Sequence, residues 1–245
     1  MARKGRSLVV RRLAAPAYLR INKKEYAFTA KAIPGPHKAG KSFTLLYVLR
    51  DLLKVVTTAK EAKKVVVAGH VIVDGKPRKD IHFPVGLMDV IEIPALKKTF
   101  RVNTDKLYYY KLVEIDKDAH FKLCKIIGKT MQPGGNVQLN LHDGRSVLVR
   151  VKDPKNPKEA AEYTIGSTVK IDLRSGEIVD SVKLEEGKLA IVVDGINDGR
   201  MGKITKITKI MKNDTATLED KGESFETKLK YLFVLGDSKP LVSLG

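Results

Sequence analysis

Residues 57–76 read TTAKEAKKVVVAGHVIVDGK, and their reading decides the fold class. Thr58 precedes a run of helix formers and Glu61 stands three residues on. At that spacing each side chain can answer the other's backbone N–H, so a capped helix is predicted over 59–68. Gly69 is its natural stop, because a left-handed residue closes the last turn. A strand pattern follows, broken at Asp74-Gly75, a favoured pair for a two-residue hairpin turn. Upstream, residues 43–54 (FTLLYVLRDLLK) place Leu45, Val48, Leu49, Leu52 and Leu53 at helical spacing, which predicts a first helix with one apolar face. Downstream, residues 90–93 form another short strand, entered through a turn containing Gly86 and Asp89. Residues 43–105 are therefore expected as helix, helix, then a small sheet.

After about Lys106 the apolar period changes from 3.6 to two. VQLNL, the turn HDGR and SVLVRV (137–151) make an alternating hairpin. Further strands are expected in 163–173 and 177–182, in KLAIVV (188–193), in GKITKI (202–207), and in a hairpin near Asp220-Lys221-Gly222. Short strands with regular turns predict small antiparallel barrels. The fold class is α+β and multi-domain: a basic arm (1–42), a helix–helix–hairpin domain (43–105), a central β-rich domain (106–178) and a last β-barrel domain (179–245). The arm, punctuated by Pro16, Pro34, Gly35, Pro36 and Gly40, is expected to be extended, with at most a short helix, and ordered mainly by its partner.

Charge narrows the function. The 245 residues carry a formal net charge of +18. Residues 1–42 hold eleven Lys or Arg against the single acid Glu25, a balance of +10. Residues 43–105 and 106–178 each stand at +4, and 179–245 balance eleven against eleven. A surface built only for solubility mixes its signs throughout. This gradient is the footprint of a phosphate-rich partner. No apolar run approaches the length needed to cross a bilayer, and no signal-peptide pattern is present. The single cysteine, Cys124, can make no internal disulfide, which fits a reducing, cytoplasmic setting.

Gly35 to Ser42 (GPHKAGKS) matches the phosphate-loop spacing, with Lys41 and Ser42 where a nucleotide's phosphates and magnesium would be held. A buried strand must precede such a loop, and YAFTAKAIP is weak and ends in proline. The nucleotide-binding fold also needs strand–helix–strand repeats, whereas hairpins follow here. The loop reads instead as a basic segment touching RNA phosphates. One cysteine excludes the usual zinc-finger ligand sets, and His37, His70, His82, His120 and His142 have no metal-ligand spacing. Cys124 reads as a small core residue, and no pairing of histidine with carboxylate marks a nucleophile or base. No cofactor and no catalytic residue is expected.

The candidate RNA contacts are basic. Arg3, Lys4, Arg6, Arg11, Arg12, Arg20, Lys38 and Lys41 lie in the arm. Arg50 and Lys54 share a face of the first helix. Lys60, Lys63 and Lys64 share a face of the second at i, i+3 and i+4. Lys76, Arg78 and Lys79 carry the charge onto the hairpin, a platform able to grip RNA by shape and phosphate contact.

On these residues the stretch 57–76 resembles the RNA-binding module named after bacterial small-subunit ribosomal protein four. The resemblance implies RNA contacts at Lys60, Lys63, Lys64, His70, Lys76 and Arg78. Gly86-Leu87-Met88-Asp89 stands for that module's glycine–hydrophobic–aspartate turn, one residue longer than its commonest form. GKLAIVVDGINDGRMGKITKI (187–207) is similar to the KOW motif, with Gly187, Gly195, Gly199 and Gly202 in its spacing and Arg200 on the exposed loop. The order RRLAAP, GPHK, helix–helix–hairpin, HDGR, KOW-like segment and FVLG…KPLVSL resembles one family along nearly the whole chain. That family is small-subunit ribosomal protein four of the archaeal and eukaryotic lineage, and the end at Gly245 favours an archaeal source. The resemblance implies a structural, non-enzymatic protein of the small ribosomal subunit in the cytoplasm. Its partners would be 16S-type ribosomal RNA and neighbouring ribosomal proteins, with no membrane and no homo-oligomer. A KOW-bearing transcription or translation factor is the rival reading, with a phosphate-loop nucleotide-binding protein behind it.

Overall fold

The structure is a computed structural model and describes residues 7–22, 24–105, 109–115, 118–151, 158–209, 214–220 and 222–243. The fold divides into two compact units, Met1–Val102 and Asn103–Gly245.

The first unit begins with β1 (Val9–Arg11), paired antiparallel with β2 (Phe28–Ala30). The extended arm thus carries a short strand pair. Leu19 and Ile21 alternate along the intervening segment and are both buried. The Arg12 guanidinium donates to the carbonyls of Ile21 and Asn22, so the bend between the strands is tied from within.

β3 (Phe43–Thr44) leads into α1 (Leu45–Tyr47), where the Thr44 hydroxyl accepts the Tyr47 N–H at 3.3 Å. The next turn, Val48–Leu52, is π-helical: Leu53 N–H reaches five residues back to Val48 O at 2.9 Å. The helix predicted over 43–54 thus starts two residues later and widens halfway. A 3.6 period cannot register a widened turn. Val48 and Leu49 are fully buried in consequence, and Leu52 and Leu53 only half-buried. Lys54, at φ 53°, ends the helix.

α2 (Ala59–Val67) starts on the predicted capping box. Glu61 N–H donates to Thr58 Oγ1, and Thr58 N–H donates to the Glu61 carboxylate, both at 3.2 Å. Ala62 and Val66, one turn apart, are fully buried. β4 (Ile72–Val73) and β5 (Lys76–Pro77) form the expected hairpin, turning at Asp74-Gly75 with positive φ at both residues. β6 (Pro84–Val85) pairs back onto β3. β7 (Val90–Ile93) and β8 (Lys98–Asp105) continue the hairpin's sheet in the order β5-β4-β7-β8, and β9 (Tyr109–Glu114) falls in the second unit.

The second unit holds two five-stranded antiparallel sheets. In the first, β10 (Phe121–Met131), β11 (Val137–Leu141), β12 (Ser146–Val149), β13 (Thr168–Asp172) and β14 (Ile178–Val182) are ordered β12-β11-β10-β13-β14. β10 changes partner along its length, from β13 at Phe121–Lys125 to β11 from Ile126 on, with a bulge between Ile126 and Gly128. A bulge bends the strand and lets one chain serve two directions of the sheet. Its core is Cys124, Ile126, Leu139, Leu141, Val169 and Ile171. In the second sheet, β15 (Leu189–Val192), β16 (Met201–Thr208), β17 (Thr215–Asp220), β18 (Glu223–Lys228) and β19 (Leu232–Gly236) are ordered β18-β17-β16-β15-β19. Ala190, Val192, Ile204, Leu218 and Leu232 fill it. The sheets are joined by side chains that reach backbone. Lys125 Nζ donates to Lys230 O at 2.9 Å and Leu232 O at 2.6 Å, and Lys170 Nζ donates to Leu241 O at 3.3 Å. The His142 ring meets Phe233 edge-on at 5.5 Å.

Candidate nucleic-acid interface

The capping box positions the basic face of α2. Hydrogen bonds from Thr57 N–H and hydroxyl, then from Thr58 N–H, hold the Glu61 carboxyl below its usual range, so it stays ionised at the helix start. With Ala62 and Val66 turned inward, Lys60, Lys63 and Lys64 are exposed. Among the described residues no carboxylate pairs with any of the three. His70 follows the helix and is exposed, as are Lys76 and Lys79 on the hairpin side. Arg78 is half-buried, its guanidinium 4.4 Å over the Phe83 ring. These residues succeed one another along α2 and the β4–β5 hairpin as one basic strip.

Other candidates face elsewhere. The Arg50 side chain is only 8% exposed, paired with Asp51 at 2.9 Å and lying 4.0 Å over the Tyr26 ring. Arg12 is engaged by the carbonyls described above. Lys54 and Arg11 are exposed; Arg20 is exposed, with its backbone N–H on Tyr47 Oη at 3.2 Å. Lys38 is exposed and Lys41 half-buried. Arg200 bonds Glu223 at 3.0 Å and lies 5.0 Å over Phe225. Arg3, Lys4 and Arg6 lie outside the described residues.

The GPHKAGKS loop is fastened from inside. His37 Nε2 sits 2.9 Å from both Asp89 carboxylate oxygens, and Gly86 N–H donates to the same carboxylate at 2.8 Å. Gly86 must be glycine, since a Cβ there would stand 2.4 Å from the His37 ring. The Tyr18 hydroxyl donates to Ala39 O at 2.7 Å, and burial pushes that phenol above its ordinary value. Ser42 is buried, and a strand rather than a helix follows it. This is not the open cradle that nucleotide phosphates require.

Sequence reading missed one cluster. In the second unit Lys122, fully buried, places Nζ 3.1 Å from Asp143 Oδ2. Arg145 Nε approaches the same oxygen at 3.2 Å, Arg145 N–H donates to Oδ1 at 3.1 Å, and Cys124 Sγ donates to Oδ2 at 3.6 Å. Burial alone would raise the Asp143 carboxyl; the Lys122 ammonium, then His142 and the Arg145 N–H, outweigh it and hold the group below its ordinary 3.8. The fold brings donor atoms of Cys124, His142 and Asp143 within 4.8 Å, although no sequence spacing announces them. The set does not fit a metal ion. The ammonium already occupies the cation's place beside Asp143, and His142 Nδ1 accepts the Lys125 N–H at 3.2 Å. Only the HDGR turn hinted at this cluster.

Three family descriptions match in chain order: the RS4NT domain over residues 4–40, the S4 domain over 45–91 and Ribosomal family S4e over 96–178. The chain is 44% identical to the small ribosomal subunit protein eS4 of Staphylothermus marinus, with 100% of this chain and 98% of that one covered. It is 42% identical to the protein of the same name from Methanococcus maripaludis, with both chains covered in full. Among solved structures, the 30S ribosomal protein S4e from Thermoplasma acidophilum superposes with a TM-score of 0.67 at 30% identity, covering 81% of this chain and 96% of that one. With its basic strip inside the S4 domain and its relatives matched end to end, the chain belongs to the ribosomal S4e family.

Proposed function

We propose that the chain is a structural constituent of the small ribosomal subunit that binds ribosomal RNA through the strip along α2 and the β4–β5 hairpin. Membership in a ribosomal protein family makes it structural and not an enzyme, working in cytoplasmic translation. One observation carries the RNA reading: Lys60, Lys63 and Lys64 stand exposed on one face of a helix inside the S4 domain, without carboxylate partners among the described residues. Lys76, Lys79 and His70 extend that face, and Arg11, Arg20, Lys38 and Lys54 add phosphate contacts. Arg12, Arg50 and Arg200, engaged within the protein, shape the surface more than they grip RNA.

The finer division into arm, S4 domain, central module and terminal module is part of this proposal. So is the reading of the last sheet as a KOW-type barrel. Gly202 supports it: a Cβ there would stand 2.9 Å from Glu219 O, so the strands approach as closely as that motif's glycine allows. The neutral terminal module meets protein neighbours or positions the protein, and the chain acts as a monomer on the subunit.

Crosslinking on purified small subunits tests the proposal. RNA crosslinks should concentrate in residues 1–80, and a map dominated by residues 180–245 would overturn it. In solution, replacing Lys60, Lys63 and Lys64 together by Gln should weaken ribosomal RNA binding and flatten the slope of log K against log salt by about 2.

A further inference from the structure

We infer that the β1–β2 face of the arm carries a stacking platform on which an unpaired base of the ribosomal RNA rests, with Phe28 as its floor and Arg11 at its side. The inference rests on the RNA-binding reading and adds a specific contact to it.

Phe28 is 56% exposed, and among the Phe and Tyr side chains the structure describes it is the only exposed one. The other described Phe and Tyr rings are at least half-covered, several lying under cations, as Tyr26 lies under Arg50. β1 pairs β2 with Arg11 directly opposite Phe28 and Val9 opposite Ala30. Opposed residues of an antiparallel pair share a face, with Cβ atoms about 4.5–5.5 Å apart. The two side chains therefore leave the same face of the strand pair, with Val9, 49% exposed, next along it. Arg12 turns to the other side and is held by backbone carbonyls, so the sheet fixes Arg11 outward by alternation.

A lone exposed apolar ring could equally meet a protein, but its surroundings choose otherwise. Its cross-strand neighbour is a cation, and the surrounding 42-residue segment carries a balance of +10. An apolar protein groove would have to desolvate that guanidinium. An unstacked nucleotide offers a π-face to the ring and a phosphate to Arg11, the pairing by which single-stranded segments are held.

The chain has no tryptophan, so Phe28→Trp in the full-length protein makes a single indole reporter. The probes are a full-length transcript of small-subunit ribosomal RNA and a fully paired RNA duplex, with retention on filters scored in parallel. Stacking predicts quenched emission and loss of iodide access with the transcript, but not with the duplex. Phe28→Leu should bind the transcript about 5- to 150-fold more weakly, with Phe28→Tyr close to the parent. Retention of the transcript with an indole still open to iodide would overturn the platform and leave RNA binding standing. Shielding that appears only when other ribosomal proteins are added would overturn it in favour of a protein neighbour. Failure to retain the transcript at all would overturn the broader reading, and this one with it.

Discussion

Replacing Asp143 by Asn should cost the second unit about 3–5 kcal/mol, the range found when one partner of a buried pair is removed. The size follows from geometry. Lys122 is fully buried with Nζ 3.1 Å from the carboxylate, where two unit charges attract by about 5 kcal/mol at an effective dielectric constant near 20. Asn still accepts the Arg145 N–H, and Arg145, about a third exposed, can turn to solvent. Lys122 cannot, and its ammonium loses the carboxylate 3.1 Å away. For a unit of this size the loss lowers Tm by about 10–15 °C. Thermal unfolding of the full chain by circular dichroism reads the shift, and hydrogen exchange of β10 and β11 amides shows whether the second unit opens. The decisive comparison is Lys122→Met with Asp143→Asn, which removes the buried ammonium together with its carboxylate and should recover most of the loss. A double variant no more stable than the single, or a single loss under about 1 kcal/mol, would refute the account. The pH dependence has a fixed sign. The folded carboxyl titrates below its ordinary 3.8, so its stabilisation is complete above that value and is lost as pH falls through the lower folded one. The parent should therefore lose this contribution in acid, and the Asn variant should lack that step.

Other expectations are local. His37→Ala leaves the buried Asp89 carboxylate without its ring partner and should destabilise the first unit by about 2–3 kcal/mol in urea titrations. Thr58→Ala removes the N-cap of α2 and should cost about 1 kcal/mol by the same measurement. Arg50→Gln should lower Tm while leaving the salt slope of RNA binding unchanged, whereas Lys63→Gln should flatten that slope by about 0.7–0.9. Filter binding at four salt concentrations separates the two.

What could be read in advance was local in sequence. The Thr58–Glu61 box, the Asp74-Gly75 turn and the HDGR hairpin each act within a few residues, where spacing is geometry. The helix over 43–54 was legible only as a periodic face, since β3 and the π-turn are set by pairing with β6 and by the core. The site divides the same way. The lysines of α2 follow from helical spacing, but the inward turn of Arg50 depends on Tyr26, 24 positions earlier in sequence. His37 meets Asp89 across 52 positions, and Lys122 meets Asp143 only because β10 and β11 pair. Long-range partners of this kind leave no period and no motif.

The bonds from Lys125 to the carbonyls of residues 230 and 232 have a consequence for how such proteins can be recombined. A backbone carbonyl accepts an ammonium whatever side chain it bears, so the acceptors survive almost any substitution at those two positions. The side chains that reach across do not: the donors Lys125 and Lys170 sit on the preceding sheet, and the His142 ring in the turn that follows β11. A chimera that grafts a relative's last 67 residues should therefore assemble wherever the host keeps those three side chains. A host lacking them would present a mute surface, and the two sheets would have to be inherited together as a single cassette.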